Sequence, residues 1–166
     1  MPLNQLDVER VIRKLISGGG EYADLFFEEK TGTSIVYENG KVDRIRRGID
    51  RGVGLRVIRS LATFYAFSTE VTAAALDELV RTLTEAVPSL PESAGLVFGA
   101  AQKLKPSVFE IDPAAVDLGT KIALLAEADE AARSFGGEIN QVRVTISDEQ
   151  RRVVQVNSDR AHLEFR

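Results

Sequence analysis

Asn39-Gly40 lies inside a run, Tyr22 to Phe67, in which apolar and polar residues alternate almost throughout. An Asn-Gly pair between alternating segments is the strongest short-range signal for a two-residue β-hairpin, because both central positions need positive φ. A turn this tight joins only antiparallel neighbours, so it constrains the fold more than any other feature of the chain. On its N-terminal side Ala23, Leu25 and Phe27 alternate with Asp24, Phe26 and Glu28, and after "KTG" Ile35 and Tyr37 alternate with Ser34 and Glu38. On the other side Val53, Leu55 and Val57 share one face, and "LATFYAF" follows a short break. The pattern predicts an antiparallel meander of about five half-buried strands.

Helices flank this run. Leu6, Val11, Ile12, Leu15 and Ile16 recur at near-helical spacing, and Gly18 to Gly20 end that stripe. A phosphate loop would follow a strand and open a helix, whereas "SGGGE" closes one, so the glycines read as a cap. Gly52 and Gly54 suggest a bulge or a close backbone approach, since no helix follows them as a dinucleotide fingerprint requires. Thr72 is the expected N-cap of "AAALDELVRTLTEAV", whose Leu76, Leu79, Val80 and Leu83 fall on one face. Pro88, Pro91, Pro106 and Pro113 punctuate a stretch without periodicity, read as a crossover or hinge. Beyond it a helix is expected with Leu118, Ile122, Leu125 and Phe135 on its apolar side, stopped by Gly136-Gly137. Strands then place Val142, Val144 and Ile146 inward, and Val154 and Val156 follow the turn "SDEQ". The expected class is α+β, an antiparallel or mixed β-meander packed with helices in two small lobes joined by a proline-containing crossover. The lobes are residues 1–87 and 114–166, the second expected to be truncated, with 88–113 between them.

Composition narrows the function. The 166 residues are 44% hydrophobic and 28% charged, with a formal charge of -4, so a chain built mainly to hold nucleic acid is not expected. There is no cysteine and one histidine, which removes disulfides, thiolate nucleophiles, cysteine-ligated metals and two-histidine zinc sites. The N-terminus carries charges where a signal peptide would be apolar, and no stretch approaches the roughly 20 apolar residues of a membrane span. The expectation is a cytoplasmic protein with no membrane association.

The most conspicuous cluster is cationic. Lys41, Arg44, Arg46, Arg47, Arg51, Arg56 and Arg59 outnumber Asp43 and Asp50 in the same window. They read either as phosphate contacts or as the solvated face of a sheet whose acids pair locally. No aromatic is interleaved among them for stacking, which favours the solvated face. His162, in "HLEF", lacks the cysteine pair that a zinc deaminase requires, and no serine stands in a G-x-S-x-G elbow. Catalytic, cofactor-binding and metal-binding residues are therefore all expected to be none in this segment.

The run "GGEYADLFFEEKTGTSIVYENGKVDRIRRGIDRGVGLRVI", followed by "FSTEVTAAALDELVRTLTEA", resembles the N-terminal region of the TldD/PmbA family. "YADLFFE" and "GIDRGVGLRVI" are closer to the TldD branch. The similarity covers about residues 19 to 86 clearly, and the later lobe, with "VNSD" at a turn, more weakly. One departure is "ATFYAF", where the family places a glycine before the aromatic. Family members are described as metallopeptidases and, earlier, as modulators of DNA gyrase. The resemblance implies an intracellular zinc-dependent peptidase acting on peptides or unfolded segments, working as a homo- or heterodimer that encloses its site. Its zinc, held by an H-E-x-x-x-H/D helix in a C-terminal domain, would polarise the scissile carbonyl and acidify the attacking water. That motif is absent here, so zinc is implied for the full-length protein only. This segment is expected to be inactive alone, supplying scaffold, chamber wall and dimer surface. The alternative is a stand-alone module that binds a protein or nucleic acid through the arginine-bearing sheet. Ala161, Leu163 and Phe165 start an alternating strand with no closing turn, which leads to the expectation that the natural chain continues past Arg166.

Overall fold

The structure is a computed structural model that describes residues 5–87, 102–103, 110–159 and 162–165, with side chains for 8–87 and 110–159. Most of the expected 88–113 crossover lies outside the described residues. The elements run α1 (Gln5–Ser17), β1 (Tyr22–Glu38), β2 (Lys41–Arg59), β3 (Ala62–Ser68), α2 (Ala73–Ala86), β4 (Gln102–Lys103), α3 (Leu118–Arg133), β5 (Arg143–Asn157) and β6 (His162–Phe165). Six strands form one sheet in the order β3-β2-β1-β5-β6-β4. Strand pairs β2–β3 and β5–β6 are antiparallel, whereas β4–β6 is parallel. The class is α+β, as the sequence predicts.

The meander uses three strands, two of them long, where about five are expected. β1 passes straight through "KTG" instead of turning there. Gly32 is tolerated inside the strand because the backbone of β5 comes close, and a Cβ on it would lie 3.2 Å from the Asp148 carbonyl. The hairpin at Asn39-Gly40 forms as expected, with φ of 53° and 73°. The next turn, Ser60-Leu61, also has positive φ at both positions, 47° and 67°, without a glycine at either. Leu61 is 99% exposed at its tip.

Two compact units emerge, each discontinuous in sequence: Met1–Glu29, Arg51–Ser107 and Arg152–Arg166 form the first, Lys30–Asp50 and Val108–Arg151 the second. In the first, α1 buries Val8, Val11, Ile12, Leu15 and Ile16, and α2 buries Leu76, Leu79, Val80 and Leu83. Both helices cover a sheet face made by Leu25 and Phe27 of β1, Leu55 and Val57 of β2, and Val154 and Val156 of β5. Each fully buried leucine or valine contributes about 1.5–3 kcal/mol, so this layer is the main source of stability in that unit. Helix α1 ends because Gly19 takes φ 110° while the amides of Gly18, Gly19 and Gly20 return to the carbonyls of Lys14, Ile16 and Leu15. Helix α2 begins where the Ala75 amide donates to Thr72 Oγ1 at 3.1 Å.

In the second unit, α3 does not present the expected stripe. Leu118 is 43% and Phe135 88% exposed, while Lys121, Leu125 and Asp129 are buried at a spacing of four. The polar members are tolerated because Lys121 and one oxygen of the Asp129 carboxylate have partners, while Asp129 Oδ1 is buried without a hydrogen bond. Lys121 Nζ donates to Asp148 and to the Pro113 carbonyl, both at 2.8 Å, and Arg133 Nε donates to Asp129 at 2.9 Å.

Candidate binding surface

Strand β2 carries the cationic cluster, and the structure divides it by role. Arg56 and Arg59 are structural. The Arg56 guanidinium pairs with the Asp24 carboxylate, whose side chain is 8% exposed, and lies 5.9 Å from the centroid of the Tyr22 ring. Burial raises the Tyr22 phenol above its ordinary value; the Asp24 carboxylate adds to this and Arg56 opposes it. Arg59 is buried and donates to the Gly19 carbonyl, tying β2 to the end of α1. The sequence points to neither role, because Asp24 and Gly19 lie outside the cationic window.

The remaining cations behave otherwise. Arg44 comes within 4.0 Å of Asp43, a loose and exposed contact. Lys41, Arg46, Arg47 and Arg51 make no ion pair among the described residues. From Lys41 to Asp50 every residue but Val42 is exposed. This openness follows from the length of the neighbouring strand. β3 has 7 residues against 19 in β2, and its pairing begins only at Val53↔Ser68. Residues 41–50 therefore have β1 on one side and an open edge on the other, among the described residues.

Beside this edge, within the second unit, lies a recess of about 650 Å³. Arg46, Arg47 and Asp50 line it from β2, Thr33 and Ser34 from β1, and Ser147, Asp148 and Glu149 from β5. Ser147 Oγ donates to Ser34 Oγ at 3.0 Å. The arrangement offers hydroxyls, guanidinium groups and carboxylates suited to binding a polar ligand. Its lining holds Ser34 and Ser147 but no histidine to activate either.

Comparison with known proteins decides the family. The model described as "PmbA/TldA metallopeptidase domain 1" matches residues 23–87, and that of the "PmbA/TldA metallopeptidase central domain" matches residues 111–166. The chain belongs to the PmbA/TldD family. Among curated PmbA/TldD relatives, a "Metalloprotease TldD homolog" of Buchnera aphidicola is 24% identical over 160 residues, covering 95% of this chain and 32% of that protein. The chain thus spans about a third of the length of the curated relative it matches. A crystal structure from Bacteroides thetaiotaomicron, of a candidate modulator of DNA gyrase, aligns with TM-score 0.73 at 15% identity. It covers 97% of this chain and 38% of its own. TldE from Thermococcus kodakarensis aligns with TM-score 0.63 at 16% identity, covering 96% and 37%. These likenesses carry the PmbA/TldD fold.

A metallopeptidase family implies a metal in the whole protein, and the donors here do not fit one. The chain has no cysteine and one histidine, and no group of three His, Asp or Glu among the described residues could hold an ion. Nor is any helix among the described residues long and apolar enough to cross a membrane.

Proposed function

We propose that this chain is the non-catalytic N-terminal portion of a TldD-type, zinc-dependent peptidase acting on peptides or unfolded segments in the cytoplasm. Its sheet and helices serve as scaffold and chamber wall, and part of its surface pairs with a second family member in a homo- or heterodimer. Nucleic acid and membrane are not partners in this reading. The observation that carries it is the order of the two matched domains, first then central, in a chain with one histidine, no cysteine and no group of three metal donors among its described residues. The test is metal analysis of the dialysed 166-residue chain, together with a casein or unfolded-peptide assay. The expected result is zinc far below one per chain and no cleavage. One tightly held zinc per chain, or zinc-dependent cleavage, would overturn the proposal.

A further inference from the structure

We infer that the open edge of β2 between Lys41 and Asp50 accepts an extended, carboxylate-bearing peptide segment as an added strand. The inference does not rest on the peptidase reading. In a strand with one neighbour, alternate residues turn their N–H and C=O groups to the unpaired side. The backbone of residues 41–50 is already extended, so a ladder could form without ordering it first.

Three observations choose the occupant. Lys41, Arg44, Arg46 and Arg47 stand against Asp43 and Asp50 on this segment, four cations to two carboxylates, which complements an acidic strand. The same charges oppose a second copy of the chain, because pairing two such edges would bring guanidinium groups together. The second observation concerns Ile45 and Ile49, which are 44% and 68% exposed. Strand alternation puts them on one face with Arg47 between them. An edge guarded only by charge has no need of exposed isoleucines, whereas an incoming strand alternating apolar and acidic residues would cover them with its apolar face and set its carboxylates against Arg44 and Arg46 on the other. Third, no aromatic occurs from Lys41 to Asp50, so this edge offers a nucleic-acid strand no stacking platform.

The test is fluorescence anisotropy on the 166-residue chain with a capped, labelled octapeptide alternating valine and glutamate. Saturable binding is expected. Replacing every glutamate by lysine should weaken it at least about ten-fold, as should N-methylating alternate amides along one edge at unchanged charge. Arg44→Glu with Arg46→Glu, checked for folding by circular dichroism, should reverse the preference toward the lysine peptide. Equal binding of the N-methylated peptide would reduce the contact to charge alone and overturn the inference. Tighter binding of an oligothymidylate of matched charge would overturn it in favour of a polyanion site. No saturable binding below about millimolar peptide would mean that the charges only keep edges apart.

Discussion

Asp24 sits where the alternation of β1 turns away from the core, yet it is 6% exposed. Its neighbour on that face, Phe26, is 39% exposed, so position in the strand does not explain the burial. Arg56, 32 residues further on, does, by covering the carboxylate from β2. Tyr22 reports on this pair with opposite signs. Asp24→Asn should move the phenol down toward its ordinary pKa of about 10, and Arg56→Ala should move it further up. Absorbance titration of tyrosinate checks both; shifts of the same sign in the two variants would contradict the arrangement. The sign for stability follows from the raised value. Tyr22 contributes fully below about pH 10, and that contribution is lost as pH rises through its folded-state pKa. At this scale the sequence reveals the charges but not their partners, because a pairing across strands depends on register.

Helix α2 shows how much a local signal can specify. Thr72 and the spacing of Leu76, Leu79, Val80 and Leu83 lie in one short segment, and all take the expected places. Helix α3 has an equally regular apolar pattern, but its orientation is set by Asp148, 27 residues from Lys121, which draws a lysine inward and leaves Leu118 exposed. Removing one partner of so buried a pair leaves an uncompensated charge, so Lys121→Met should destabilise by about 3–5 kcal/mol. Adding Asp148→Leu should recover most of that loss in a urea unfolding series. A double variant as unstable as the single one would show that the pair does not act as a unit. Between α1 and α2, Asp77 accepts from Arg10 at 2.8 Å and Lys14 at 3.0 Å. Hydrogen bonds from Lys14 and then Arg10 hold its carboxyl below the usual 3.8. The resulting stabilisation is present above that value and lost as pH falls through the lower folded-state pKa. Asp77→Asn should therefore flatten the acid limb of the stability curve, and an unchanged limb would show that these contacts do not contribute.

For the molecule as a whole, the fold was legible because its chief constraint, a tight hairpin between alternating segments, is local. The open edge was not, because whether a strand has a neighbour depends on where β3 stops, and no residue of β2 encodes that. The division into two units was equally hidden, since β1, β2 and β5 each supply residues to both. The two turns of β2 also set an order of events. Asn39-Gly40 suits its positive φ angles in the unfolded chain, whereas a leucine held at φ 67° costs about 1–2 kcal/mol that only packing can offset. The hairpin at Asn39-Gly40 should therefore nucleate early and β3 dock late. Relieving the late turn by Leu61→Gly should stabilise the protein by about 1 kcal/mol, seen in stopped-flow as slower unfolding with little change in the folding rate. Faster folding with unfolding unchanged would instead put the second turn inside the folding nucleus, and the path would run through β3 from the start.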